Sequence, residues 1–295
     1  MSILIGGGSG FVGGELSKLL VKNGLKVILV SRSAGSNKIT WKDLEKNGLP
    51  KDCSGVVSMA GENILNPFKR WNEDFKSEVR SSRIDTTKAL AQAIMEAENK
   101  PKVFVSMSGV AYHKPDDIKE YTEESSGGDY DFLSRLTTEW EAAAKLPNSC
   151  NVRQIVVRTG VVLGRNGGMI KQIYLPFYMG AGGKIGSGLQ WFPWIHVSDV
   201  AGIFAYAIQN ENVNGVLNAV APNPVTNSQF TSSFAGAMWR PSIFPTPGFM
   251  MNALFGAERG KVILEGQKVL PKRTLEYGYK FKYPDIDSAC KEIVC

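Results

Sequence analysis

Short runs of apolar residues alternate along the chain with longer segments in which apolar side chains recur at helical spacing. The run Ile3-Leu4-Ile5 leads into a glycine-rich turn, an amphipathic segment follows, and Val27-Ile28-Leu29-Val30 is again entirely apolar. A short all-apolar run is typical of a strand that a parallel sheet buries on both faces. This opening segment therefore predicts a strand, a helix and a second, parallel strand.

The same alternation continues through the first half of the chain. Further strands are predicted at Val56-Val57-Ser58, Val103-Phe104-Val105 and Ile155-Val156-Val157, and a long helix is predicted from about Asn72 to Glu98. Strands that alternate with helices favour a parallel sheet covered on both faces. We therefore expect an α/β fold, specifically a Rossmann-type doubly wound parallel sheet.

The second half of the chain differs in composition. Beyond Gly164 it is richer in Gly, Pro, Met and aromatic residues, and stretches such as Gln190–Trp194 fit either a pocket lining or a packed core. We expect a nucleotide-binding domain over residues 1–165, to which part of residues 195–221 returns. A smaller, interleaved substrate lobe would then occupy residues 166–295.

Three glycines, Gly7, Gly10 and Gly13, lie between the first predicted strand and the first predicted helix. This is the placement of a dinucleotide-binding loop, in which glycine permits a tight turn and a close approach of the backbone to a pyrophosphate. The N–H groups near Phe11 and Val12, at the start of the helix, would then face the phosphates. A glycine turn that serves packing alone remains the alternative.

The end of the second strand bears on which dinucleotide is bound. NAD-binding units carry an acidic residue about 20 residues after the glycines, where it holds the ribose 2′-hydroxyl. No acidic residue occurs between Leu16 and Lys42, and Ser31 and Arg32 stand near the expected place. A guanidinium there suits a 2′-phosphate through a charge-assisted bidentate contact. The sequence thus predicts NADP(H), unless Arg32 is simply an exposed residue at a strand end.

Several local motifs together cover nearly the whole chain. They are Gly7–Gly13, Met59–Ile64, Lys69–Asn72, Arg158–Gly164, Pro193–Val197 and Glu265–Pro271. In these motifs the sequence resembles the extended short-chain dehydrogenase/reductases and, more narrowly, the epimerase-like group called short-chain dehydrogenase/reductase family 39U member 1. The glycine motif is shared by many dinucleotide binders, whereas the other motifs together are specific to the narrower group.

The resemblance implies an NADP(H)-dependent oxidoreductase or a nucleoside-diphosphate-sugar epimerase-like enzyme, and it assigns cofactor contacts. These contacts are Gly7, Gly10, Phe11, Val12, Ser31, Arg32, Met59, Ala60, Glu78, Arg83 and Val162. The glycine loop would hold the pyrophosphate, and Val162 would approach the nicotinamide. For Glu78 and Arg83 the sequence equally allows a solvated pair on one helix.

The catalytic pattern of the wider family is incomplete in this chain. Active members use a Tyr-x-x-x-Lys pair and an upstream serine, but none of the nine tyrosines here is followed by Lys or Arg four residues later. Asp131 and Arg135 occupy the usual positions of the pair, while Ser108 matches the upstream serine. The candidate catalytic residues are Ser108, Tyr112, Tyr130 and Arg135. Because the pair is missing, an NADP(H)-binding redox sensor or scaffold without turnover is the rival interpretation.

Composition and charge exclude several other classes. A hydrophobic content of 43% with 21% charged residues is ordinary for a globular protein and too apolar for a disordered chain. The net charge of +6 comes from scattered residues, so no nucleic-acid partner is expected. Two histidines, and four cysteines without ligand spacing, predict no metal site.

Location and partners are less constrained by the sequence. There is no apolar run long enough to cross a bilayer and no targeting segment, which predicts no membrane partner and a cytoplasmic protein, with a nuclear or organellar location left open. The expected partner is a small-molecule substrate that the sequence does not identify. A homo-oligomer is also left open.

Overall fold

The computed structural model describes residues 1–66 and 68–295. The strands are β1 (Ser2–Gly6), β2 (Lys26–Ser31), β3 (Lys38–Thr40), β4 (Cys53–Ser58), β5 (Val103–Gly109), β6 (Asp116–Tyr121), β7 (Arg153–Thr159), β8 (Val161–Leu163), β9 (Trp191–Phe192), β10 (Trp194–His196), β11 (Gly215–Ala219), β12 (Val225–Thr226) and β13 (Gln267–Val269). The helices are α1 (Phe11–Lys22), α2 (Trp41–Asn47), α3 (Glu73–Glu96), α4 (Phe132–Ala143), α5 (Gly168–Tyr178), α6 (Val197–Gln209), α7 (Asn227–Ala237), α8 (Gly248–Phe255), α9 (Ala257–Leu264), α10 (Lys272–Glu276) and α11 (Ile286–Val294).

The central feature is a seven-stranded sheet, formed within the described residues, with the order β11-β7-β5-β4-β1-β2-β3. All neighbouring strands in it are parallel. The chain runs from β1 outward to β3 and then returns to place β4 on the other side of β1. Doubly wound sheets open a ligand-binding crevice at the carboxyl ends of the strands where the order reverses in this way. The predicted Rossmann-type α/β fold is confirmed.

Alternating side chains of the sheet explain why helices cover both of its faces. Ile3 and Ile5 pack into the cluster that contains the buried leucines of α1 and much of α6. Leu4 points the other way, into a cluster with Leu44 of α2 and Leu90 of α3. Successive residues of a strand face opposite sides, so an entirely apolar strand requires a helical layer on each side.

The element boundaries follow local signals where such signals exist. The long helix, predicted from about Asn72 to Glu98, is α3, and the Asn72 side chain caps it by accepting a hydrogen bond from the N–H of Phe75. The segment expected to return to the first domain supplies β11, which pairs with β7 at the edge of the sheet.

The C-terminal part of the chain packs beside the sheet and reaches back over it. Helices α5, α7 and α11 share a separate apolar cluster that includes Phe177, Phe234 and Ile293. The strand β13 pairs with β6, so residues near the C-terminus contact the segment that follows β5. None of the helices in the described part of the chain is long and apolar enough to span a membrane.

Candidate functional site

The glycine-rich loop after β1 is closely packed against the turn after β4. Gly7 has a positive φ of +84°, and a Cβ atom at this position would lie 2.6 Å from the backbone nitrogen of Ala60. A Cβ atom at Gly13 would lie 2.4 Å from the carbonyl oxygen of Gly7. Both positions therefore require glycine, one for its backbone conformation and both for space.

The start of α1 is open to an anion. Its N-cap is Gly10, which offers no side-chain cap, and no acidic residue lies in the first turn of the helix. The first N–H groups of a helix have no intrahelical partner and carry the positive end of the helix dipole. Together with the glycine loop, this end of α1 fits the pyrophosphate of a dinucleotide.

Phe11, the first residue of α1, joins this loop to the turn after β8. A Cβ atom at Gly164 would lie 2.8 Å from the Phe11 ring, and one at Gly167 would lie 2.5 Å from it. The ring thus packs directly against glycines that follow Val162. The structure therefore brings the residue predicted to approach the nicotinamide close to the residues predicted to hold the phosphates.

The predicted adenosine contacts lie at the carboxyl ends of β2 and β4. Arg32 is exposed directly after β2, and the Ser31 hydroxyl donates a hydrogen bond to the carbonyl of Ser33. The N–H of Met59 donates to the carbonyl oxygen of Gly6 at 2.9 Å, which keeps the turn after β4 beside the glycine loop. An exposed, positively charged residue therefore follows β2, the strand that pairs with β1.

Arg83 and Glu78 of α3 have different surroundings. Arg83 is 9% exposed and donates hydrogen bonds to the carbonyl of Glu62 at 2.9 Å and to that of Val79 at 3.0 Å. Burial lowers the pKa of Arg83, and the charge of Glu62 opposes this effect. Glu78 instead forms a surface ion pair with Lys69. Arg83 thus supports the loop after β4 from within, and it is not the solvated partner of Glu78 that the alternative supposed.

Ser108 belongs to a buried polar cluster. It lies on β5 directly opposite Arg158 of β7, and its hydroxyl donates to Oε1 of Glu141 at 2.8 Å. Arg158 donates to both carboxylate oxygens of Glu141, at 2.8 and 3.0 Å. The guanidinium carbon of Arg158 also lies 3.5 Å from the ring centre of Tyr112. One charge-paired unit therefore holds Ser108 and Tyr112 at the carboxyl end of the sheet.

The other two candidate catalytic residues lie outside this cluster. Tyr130 is 48% exposed, and Arg135 forms an exposed ion pair with Asp129 at 3.0 Å. Asp131, which occupies the usual place of the tyrosine, caps α4 by accepting from the N–H of Ser134 at 2.8 Å. The structure therefore brings Ser108 and Tyr112 together and leaves Tyr130 and Arg135 at the surface.

A cavity of about 180 Å³ lies beyond the carboxyl ends of β5 and β7. Most of its lining is apolar, and it is shared between the segment after β5, the start of β8, the strand β9 and the helix α9. Representative lining residues are Val110, Ala111, Val161, Trp191, Phe192 and Val262. The sheet and the C-terminal segment thus enclose one site together.

His113 lies in the wall of this cavity and is 1% exposed. Its ring is stacked on Tyr121 at 4.7 Å, and neither ring nitrogen makes a hydrogen bond within the described residues. Burial and, to a lesser extent, the positive charge of Arg158 lower the pKa of His113 to about 4. A weaker polar interaction with the Ser126 backbone acts in the opposite direction and raises the pKa. The imidazole is therefore neutral at pH 7, with one N–H donor and one bare nitrogen.

A second polar atom without a protein partner comes from Gln190, which is 6% exposed. Its amide nitrogen donates to the carbonyls of Ile185 at 3.1 Å and Ile263 at 3.2 Å. Its carbonyl oxygen accepts no hydrogen bond from the described part of the chain. Buried polar atoms are nearly always paired, so two such groups on one cavity point to a ligand.

No sequence pattern pointed to His113 as a functional residue. The available signal was its position directly after Tyr112, in a chain with two histidines. The other histidine, His196, is fully bonded: its Nε2 lies 2.8 Å from Glu292, and its Nδ1 accepts from the N–H of Ser198. Only the fold distinguishes a histidine that faces a cavity from one that caps a helix.

These features are those of a dinucleotide-binding α/β enzyme fold, and the comparisons with known proteins agree. The chain belongs to the NAD dependent epimerase/dehydratase family, whose sequence model matches residues 3–219. A second model, described as a domain of unknown function, DUF1731, matches residues 246–293. The resemblance seen in the sequence is therefore confirmed.

Individual relatives agree over the full length. Human epimerase family protein SDR39U1 is 51% identical over 294 residues, which cover 100% of both chains. The epimerase family protein YfhF of Bacillus subtilis is 34% identical over 304 residues, covering 100% of this chain and 98% of the relative. The crystal structure of human SDR39U1 isoform 2 with NADPH superimposes with a TM-score of 0.98, covering 100% of this chain and 99% of that one.

Proposed function

We propose that this protein is an NADP(H)-dependent oxidoreductase or epimerase-like enzyme that acts on a small hydroxyl or carbonyl compound. The observation that carries the proposal is the cavity beside the predicted nicotinamide contact: Val161 lines the cavity, and Val162 is the next residue. Hydride chemistry needs a substrate site next to the reactive ring of the cofactor. A scaffold that only bound the cofactor would have no need of such a cavity.

The cofactor assignment rests on this chain's own residues. Gly7 and Gly13 leave no room for a side chain, the start of α1 offers free N–H groups, and Arg32 stands where a 2′-phosphate would lie. The crystal structure of the human relative with NADPH supports the same choice. When bound, the nicotinamide supplies or accepts a hydride, while the protein orients the substrate and handles the proton.

We assign two groups to a reacting oxygen: His113, which lines the cavity, and Ser108, which is buried on β5 just before the segment that lines it. The Ser108 hydroxyl donates a hydrogen bond to Glu141. Its oxygen therefore remains free to accept a hydrogen bond from a substrate hydroxyl. The neutral imidazole of His113 can donate its N–H to a carbonyl oxygen, as a histidine with a lowered pKa does in other enzymes. In this proposal Arg158 and Glu141 are positioning residues, since they hold Ser108 and Tyr112.

A cofactor-binding protein without turnover is the second candidate, and a specific observation favours it. Asp131 is engaged as the cap of α4, and Arg135 is engaged with Asp129. Neither residue supplies the proton relay of a tyrosine and lysine pair. If this candidate is correct, NADPH binds but is not consumed with any carbonyl compound.

Cofactor binding is tested by titrating the protein with NADPH and NADH. We expect a clear preference for NADPH, and Arg32→Ala should remove most of it, a loss of about 1.5–3 kcal/mol for a hydrogen bond to a charged group. Lys22→Ala, at the opposite end of α1, is the matched control and should leave both affinities unchanged. Equal affinity of the parent protein for the two cofactors would contradict the NADP(H) assignment. Consumption of NADPH in the presence of carbonyl compounds then separates the enzyme from the binding protein.

A further inference from the structure

The size of the cavity limits what it can hold. Its volume of about 180 Å³ is close to that of apolar protein cavities of about 150 Å³ that hold a benzene molecule. Sites for larger, drug-sized ligands begin at about 300 Å³. The cavity therefore suits a single ring with one or two substituents, and an entire nucleotide sugar would have to extend beyond it.

The charges of the lining also disfavour a diphosphate. The charged residues that line the cavity in the described part of the chain are Lys261, Asp131 and Glu265. Two carboxylates against one ammonium give a net negative lining, whereas proteins bind diphosphates with several cations or backbone N–H groups. The remaining wall is mostly aliphatic or aromatic, which favours an uncharged apolar ligand.

Two buried polar groups indicate which polar group a ligand of the cavity would carry. The carbonyl oxygen of Gln190 needs a donor, and the neutral ring of His113 can both donate and accept. An alcohol oxygen can serve either group, and a carbonyl oxygen can accept from the imidazole N–H. A purely hydrocarbon ligand would leave both groups unpaired, which is unfavourable for buried polar atoms.

The C-terminal segment supplies one part of the cavity wall. Val262, Ile263 and Gly266 line the cavity and fall within residues 246–293, which match the domain of unknown function. Arg259 attaches α9 to the loop after β4 by donating to the carbonyls of Asn66 and Lys69. This segment therefore forms one side of the cavity, to which it contributes both apolar residues and two of the three charged ones, Lys261 and Glu265.

We infer that the cavity binds an uncharged, single-ring, mainly apolar molecule with one hydroxyl or carbonyl group, which hydrogen bonds to His113 and Gln190. The inference deepens the proposed function and rests on it, because it names the substrate class of the same site. It departs from the nucleotide sugars that the family resemblance implies, because such a sugar would need more space and more positive charge than the cavity lining provides.

The test uses three probes with the NADPH-saturated protein: benzyl alcohol, its hydrocarbon isostere ethylbenzene, and UDP-glucose. Binding is measured by calorimetry and by ligand-observed NMR. We expect both ring compounds to bind, benzyl alcohol more tightly, and UDP-glucose neither to bind nor to displace them. His113→Phe keeps a ring on Tyr121 and removes only the weak contact between the imidazole and the Ser126 backbone. It should weaken benzyl alcohol by about two- to tenfold and leave ethylbenzene within twofold.

The outcomes separate this inference from the proposed function. Two outcomes would overturn the inference while NADPH still binds and the proposed function stands. In one, UDP-glucose displaces benzyl alcohol; in the other, neither ring compound binds. An equal loss of both ring compounds in His113→Phe would overturn the polar role of His113. If the protein fails to bind NADPH, the proposed function fails instead. Ethylbenzene binding by the variant also shows that its cavity is intact, so a misfolded variant would be recognised.

Discussion

The buried imidazole of His113 should make the protein less stable in mild acid. Its pKa is about 4 in the folded protein and about 6.5 when it is exposed. Between these values the unfolded chain binds a proton that the folded protein does not, so the free energy of unfolding falls as the pH falls from 6.5 to 4. One pKa unit corresponds to about 1.36 kcal/mol, so the full effect is about 3 kcal/mol.

The direction of this effect follows from every group that faces the ring. Burial disfavours the charged imidazole, and the positive charges of Arg158 and Lys119 disfavour it further. The rings of Tyr112 and Tyr121 pack against it without a charge of their own. The Ser126 backbone is the single opposing influence among the described residues, and it is the smaller one.

The assay is urea unfolding at a series of pH values from 7.5 to 4, with the parent protein and His113→Phe. At neutral pH the variant should be at least as stable, because the imidazole makes no hydrogen bond within the described residues that Phe would lose. Toward pH 4 the parent should lose about 3 kcal/mol more than the variant. Carboxylates titrate in both proteins, so their contribution cancels in the difference.

His196→Phe is the matched control. It deletes the contacts of His196 with Glu292 and Ser198, so it should be less stable than the parent at neutral pH. It retains His113 and that residue's acid-dependent loss, but it lacks the loss of the same sign that burial adds by lowering the pKa of His196 itself. Parallel pH profiles for the parent and His113→Phe would refute the reasoning, because they would show that His113 is not buried as a neutral ring.

Three further predictions concern the loop, the buried cluster and the surface pair. Gly7→Ala should abolish NADPH binding or unfold the protein, because there is no room for its Cβ. In the control Gly14→Ala the new Cβ has no neighbour within 4 Å, so the free energy of unfolding should rise by up to about 1 kcal/mol. Equal effects of the two substitutions would contradict the loop geometry. Glu141→Ala leaves Arg158 buried without its partner and should cost about 3–5 kcal/mol in urea unfolding, so a loss under about 1 kcal/mol would show that the cluster is hydrated. Arg135→Ala removes an exposed ion pair and should change stability by at most about 1 kcal/mol and leave any NADPH consumption unchanged. A loss of turnover would instead support the prediction that Arg135 is catalytic.

The sheet could be predicted because its signals are local. All-apolar runs such as Val27–Val30 can only be buried on both faces, and Asn72 provides a start signal for α3 that a side-chain cap confirms. The pairings of β6 with β13, β8 with β10 and β9 with β12 could not be predicted. They join segments far apart in the sequence, most of them only two or three residues long, whose partners are selected by tertiary packing and not by a periodic pattern.

The candidate site, like the fold, could be predicted from the sequence only in part. Gly7 and Gly10 were recognisable because a glycine loop between a strand and a helix has a local physical meaning. The surroundings of Glu141 and Arg83 could not be predicted, because helical spacing does not show which charged residue has a buried partner. Glu141 belongs to an amphipathic helix and looks like a surface residue. Only the register that places Ser108 opposite Arg158 shows what it binds.

The start of α4 and the wall of the cavity differ in how many of their polar groups have partners. Asp131 and Arg135 replace a proton-transferring pair, and both are engaged in local contacts of the helix start. His113 and Gln190, which carry unpaired buried polar atoms, line the cavity from the segment after β5 and from the turn before β9. We therefore expect His113, and not a residue of α4, to contact a reacting oxygen. Substitutions at His113 and Ser108 should accordingly affect turnover more than any substitution at Arg135.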